Sequence, residues 1–137
     1  MKRTLLALAL WLCASAAQAQ WTTIAGDACL VLTAGSCFHA VTTSTATATL
    51  DVSSCSNITM YAHESVAPVS AFTVMPQGCF VDATGDTSCV DLASTALDGD
   101  SAFYYVHQGP PPRLLRGNPT VTTCAAGDCK LEVACAR

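Results

Sequence analysis

Nine cysteines and three histidines among 137 residues carry most of the chemical potential of this sequence. Cys13 lies in an apolar N-terminal run, and the other eight are Cys29, Cys37, Cys55, Cys79, Cys89, Cys124, Cys129 and Cys135. As thiolates they could attack carbonyls or bind metal; as disulfides they only fasten the chain. Zinc is disfavoured by spacing, because there is no CxxC pair and no HxxxH partner. An even number of cysteines in a short exported chain reads instead as four disulfides. Eight cysteines allow many connectivities, among which sequence alone does not choose; proximity favours Cys29 with Cys37, Cys79 with Cys89, and Cys124 with Cys129, each closing a short polar or glycine-containing loop. Cys55 is then left to reach Cys135.

His39, His63 and His107 would have to converge in space to form a metal or acid-base site. His63-Glu64 is the most suggestive pair, since a carboxylate can orient an imidazole, but neighbours on a strand point to opposite faces. No G-x-S-x-G elbow, zinc-protease motif, phosphate loop or dinucleotide fingerprint occurs. The expectation is a protein that is not an enzyme and has no cofactor. Hard oxygen ligands for calcium exist at Asp82, Asp86 and Asp91 and at Asp98 and Asp100, without EF-hand spacing. Aspartate also favours turns by bonding its own backbone, which is the preferred reading of both groups. Asn57-Ile58-Thr59 matches a glycosylation sequon and reads as a turn, while the sequon-like Asn118-Pro119-Thr120 is excluded by its proline.

Residues 109–119 form the most unusual stretch, with three consecutive prolines followed by Arg113, Leu114, Leu115 and Arg116. Consecutive prolines favour an extended polyproline path without backbone donors, which predicts a crossover loop rather than a central strand. Two readings compete. Arg113 to Arg116 could dock an acidic partner, or the leucines could cap one end of the core; the second is preferred.

The elements that must position these residues begin after an export signal. Lys2 and Arg3 precede an apolar run at residues 5–13, and Ala17 and Ala19 fit an A-x-A cleavage site of bacterial type. The expectation is a cleavable signal at 1–19 and one domain at 20–137, secreted to the periplasm or beyond. The apolar run falls short of the roughly 20 residues needed to span a bilayer. Cleavage would leave four basic residues, Arg113, Arg116, Lys130 and Arg137, against ten acidic ones, a formal charge of −6. That balance argues against nucleic acid and anionic membranes as partners.

The remaining pattern is alternation. At residues 45–52, Ala46, Ala48, Leu50 and Val52 oppose Thr45, Thr47, Thr49 and Asp51, and residues 57–63 repeat the pattern, so the two segments suggest a hairpin. Further strands are expected at 30–33, 38–42, 71–75, 80–82, 102–107, 121–124 and 130–135, separated by turn-rich segments such as Pro76-Gln77-Gly78. The last two suggest a C-terminal hairpin. A short helix at 90–96 is weakened by its β-branched, Ser and Thr content. The fold class is therefore all-β: a single antiparallel sandwich or small barrel of about seven to nine short strands, stapled by disulfides. Low charge, Thr/Ala-rich strands and absent motifs favour a secreted structural or surface-assembly protein, as in a filament, fibre or virion-like particle. The alternative is a module binding glycan, peptide or protein through Trp21, Tyr61, Tyr104 or Tyr105, and a small secreted hydrolase is the distant third. Partners are thus protein or glycan, including a second copy of the chain itself.

Overall fold

A computed structural model describes residues 21–23, 29–64, 72–98, 104–107, 112–122, 124 and 129–137. The expected signal at 1–19 lies outside the described residues. Ten strands lie among the described residues: β1 (Thr22–Thr23), β2 (Gly35–Ala40), β3 (Leu50–Asp51), β4 (Asn57–Glu64) and β5 (Phe72–Val81) come first. They are followed by β6 (Thr87–Asp91), β7 (Leu97–Asp98), β8 (Tyr104–His107), β9 (Leu114–Val121) and β10 (Cys129–Ala136). Sheet A has the order β1-β2-β10-β4-β8. Sheet B has the order β3-β9-β5-β6, with β7 also pairing β5. All strand pairs are antiparallel, giving a two-layer sandwich.

Period-two alternation places one side of each long strand in the core. β10 buries Cys129, Leu131, Val133 and Cys135, and β4 buries Ile58, Met60 and Ala62. Sheet B answers with Phe72, Val74, Leu50, Leu97 and Leu115. Each fully buried Leu, Ile, Val, Phe or Met side chain is worth about 1.5–3 kcal/mol. Cys29–Cys37, Cys55–Cys135, Cys79–Cys89 and Cys124–Cys129 are bonded, the same pairs that chain proximity selects. Four such bonds mark a protein suited to an oxidising environment.

Several sequence expectations fail where prolines and glycines lie inside strands. β5 runs straight through Pro76-Gln77-Gly78, merging two expected strands. The Pro76 carbonyl accepts from Leu92 N, so the proline's ring nitrogen faces the same side, in the gap between β6 and β7. No ladder donor is needed there. β9 likewise contains Pro119. Gly117 N donates to Thr47 Oγ1 and Val121 N to Ser44 Oγ, so Pro119, midway between them, turns its nitrogen toward residues 44–48. That flank is closed by hydroxyls rather than by a strand. Thr47 is therefore buried, and of the expected strand at 45–52 only Leu50–Asp51 survives.

Neither expected hairpin forms. β3 belongs to sheet B and β4 to sheet A, so residues 52–56 carry the chain between layers. β9 and β10 are divided in the same way, and Cys124–Cys129 lies at their crossing. No helix occurs among the described residues: Val90 and Asp91 complete β6, and residues 92–96 are irregular.

Gly117 marks a close approach of the layers. A Cβ there would overlap the Leu131 side chain of β10 and lie 2.9 Å from Val74 Cγ1. Because both obstacles are packed core groups, Gly117→Ala should destabilise the domain by about 1–3 kcal/mol. Urea denaturation checks this, and an unchanged midpoint would mean that the sheets spread without cost.

Candidate functional site

The histidines do not gather. His39 points into the core from β2, is only 7% exposed, and has its ring centroid 5.6 Å from that of Trp21. His63 lies on the opposite, solvent-facing side of sheet A, on β4. His107 sits opposite Ile58 at the end of β8 and is partly buried. Glu64 turns away from its neighbour His63 and approaches the sulfurs of Cys124 and Cys129, with Glu64 Oε1 3.5 Å from Cys129 Sγ. These two sulfurs are bonded to each other, so they offer no thiolate to a metal.

The acidic groups are also dispersed. Asp82 and Asp86 share the β5–β6 turn, where Gly85 takes a positive φ of 90°. Asp82 Oδ1 accepts from Thr84 Oγ1 at 2.6 Å, Thr84 N at 2.9 Å and Asp86 N at 3.0 Å. These donors, the Thr84 hydroxyl first, hold the Asp82 carboxyl below its usual range. Asp91 is five residues beyond Asp86, at the far end of β6, roughly 16 Å by strand rise, and accepts from Gln77 Nε2. The first acidic group therefore closes a turn and a ladder rather than one cage. Asp98 pairs with Thr73 in β7, and Asp100 lies outside the described residues.

The segment Arg113 to Arg116 is not a loop. Leu114, Leu115 and Arg116 open β9, an interior strand of sheet B, and Leu115 is 1% exposed in the core. On the outer face, Arg116 Nε donates to Gln77 Oε1 at 2.8 Å, and Gln77 Nε2 donates to Asp91 Oδ1 at 2.8 Å. Arg113 is exposed and has Nε 3.8 Å from Asp51 Oδ2. Asp51 is held below its ordinary pKa chiefly by hydrogen bonds from the Ser53 hydroxyl and amide. Leu115 thus serves the core, which the capping reading anticipates, while its strand geometry is new.

Two surface features take the place of those candidates. The first is apolar. Leu30, Val31, Phe80, Val81 and Val90 are each more than half exposed. They occupy opposite edges of sheet B at the same height, because one register row runs from Val31 through Asp51, Leu114 and Cys79 to Cys89. Phe80 and Val90 share a face of the β5–β6 hairpin, and Cys79–Cys89 staples that hairpin midway along its ladder.

The second feature is a depression of about 670 Å³ on the outer face of sheet A. It is lined by Ser36 of β2, Tyr61 and His63 of β4, and Glu132 and Ala134 of β10, with Gly35 at its rim. Ala134 pairs with Ser36 on one side and Thr59 on the other, and Glu132 pairs with Phe38 and Tyr61. Alternation alone marks Tyr61 and His63 as outward-facing. Bringing Ser36, Glu132 and Ala134 beside them requires the β2-β10-β4 order, for which no local signal exists. Trp21 is fully buried and takes no part in surface recognition; Tyr104 lies opposite Tyr61 in the register and Tyr105 opposite Met60. No protein-family model, curated protein or solved structure matches the chain.

Proposed function

We propose that this chain is exported through its N-terminal signal and acts outside the cytoplasm as a non-enzymatic structural or surface-assembly protein. The observation that carries the reading is the pair of apolar edges on sheet B. A single exposed patch would suit a two-fold dimer, but different patches at opposite edges suit head-to-tail contact, which propagates into a fibre when it does not close. The hairpin edge of one copy, with Phe80 and Val90, would meet Leu30 and Val31 of the next. Burying these side chains between copies removes a liability that an exposed apolar edge otherwise creates. Four disulfides suit a subunit that must persist in an oxidising space. The dispersed histidines and the oxidised cysteines support a non-catalytic role.

Light scattering over a concentration series tests the reading. The wild-type mature protein should form species that grow with concentration, and Val31→Asp or Val90→Asp should each remain monomeric. Mixing the two variants should restore dimers and nothing larger, because each retains the edge that the other lacks. A wild-type protein that stays monomeric throughout would overturn the proposal.

A further inference from the structure

The depression on sheet A has the chemistry of a ligand site and is separate from the edges of sheet B. Its lining includes the small side chain of Ala134 and the aromatic side chain of Tyr61, which is 37% exposed. Around them lie a carboxylate at Glu132, an imidazole at His63 and a hydroxyl at Ser36, which together supply acceptors and donors. Lys130 shares the outer side of β10 and pairs with His63, so Glu132 has a cation nearby on its own strand.

The lining discriminates among ligand classes. An extended peptide recognised through its backbone needs unpaired strand N–H and C=O groups. β10 is paired on both sides, by β2 and β4, so the floor offers none. A phosphate or nucleotide would meet Glu132 in a chain whose formal charge is −4. A lipid tail would need a broad apolar wall, whereas Tyr61 is accompanied here by polar groups. A sugar ring is different: it has an apolar face of C–H groups and a rim of hydroxyls that both donate and accept. We propose that this depression binds a neutral saccharide, with Tyr61 stacked on one pyranose face and Ser36, His63 and Glu132 hydrogen-bonded to ring hydroxyls.

Amide and aromatic NMR shifts of the full mature protein, titrated separately with maltose, cellobiose, lactose and chitobiose, test the assignment. At least one disaccharide should saturate shifts confined to Ser36, Tyr61, His63, Glu132 and Ala134. Tyr61→Ala should weaken that binding by about tenfold or more, Tyr61→Phe should retain it, and Glu132→Gln should weaken it without loss of fold. Unperturbed spectra with all four sugars, or saturable shifts that map elsewhere, would overturn the proposal. So would shifts at these residues produced by a Gly-Ser peptide and by none of the sugars. Because Val31→Asp leaves sheet A untouched, repeating the titration on that variant separates sugar binding from assembly.

Discussion

Replacing Cys55 and Cys135 together by alanine should cost the domain about 4–5 kcal/mol, the largest loss of any disulfide pair. The two residues are 80 apart in sequence, while the other three bridges have separations of 8, 10 and 5. Chain-entropy reasoning assigns those shorter loops only about 2–3 kcal/mol each. Native geometry favours the long bridge as well. Cys55 lies two residues before β4, Ser56 N donates to the Ala136 carbonyl at 2.8 Å, and β4 pairs with β10 along its length. The bond therefore joins segments that are already neighbours, with Cα atoms 5.5 Å apart and both cysteines buried. For a domain with a total stability of about 5–15 kcal/mol, the loss should lower the melting midpoint by roughly 15–20 °C. Calorimetry on Cys55→Ala/Cys135→Ala and Cys29→Ala/Cys37→Ala gives the comparison. Equal losses in the two variants would show that local packing, rather than loop closure, sets the value of these bonds.

That prediction uses the part of the architecture most legible in the sequence. Cysteine spacing and alternating strands depend on neighbours along the chain, and both led to the correct class and pairing. Layer assignment did not. Residues 45–52 and 57–63 look like the arms of a hairpin because their patterns match, yet they serve opposite sheets. Nothing local distinguishes a turn within a sheet from a crossing between sheets. The prolines misled for a related reason. Pro76 and Pro119 are tolerated because each turns its nitrogen toward a flank with no ladder to complete, and a flank is defined only after folding.

The candidate site was legible in pieces. Tyr61 and His63 stand out as the polar side of an alternating strand, but Glu132 joins them through pairing between β4 and β10, some seventy residues apart in sequence. The apolar edges are not legible in the sequence, where Val90 falls in a helix candidate weakened by its β-branched content and Leu30 and Val31 fall in an expected strand. Phe80, read alone, resembles any core aromatic. Its exposure follows from the overhang of the β5–β6 hairpin beyond Leu114, where β9 begins and its pairing with β5 ends.

Trp21→Ala should be nearly as damaging as loss of the long disulfide, at about 3–5 kcal/mol. The side chain is fully buried, its ring packs near His39 of β2, and its Nε1 donates to the Ala48 carbonyl at 2.6 Å. Next to Ala48, Thr47 bonds Gly117 in both directions: Thr47 N to the Gly117 carbonyl and Gly117 N to Thr47 Oγ1, each at 2.9 Å. Trp21 thus links the β1–β2 edge of sheet A to the segment that covers β9 in sheet B. Truncation removes the packing and leaves the Ala48 carbonyl without its indole donor, so both layers should loosen together. Trp21→Phe retains much of the ring volume but loses the N–H, and should cost less, about 1–2 kcal/mol. The sequence holds two tryptophans, Trp11 and Trp21, so in protein prepared from Gln20 onward the emission of Trp21 reports directly on this contact. The wild type should emit in the blue and shift red in a single urea transition that coincides with the loss of β-sheet circular dichroism. An early fluorescence transition, with the sheet signal retained, would show instead that the N-terminal edge detaches on its own and that Trp21 does not couple the layers.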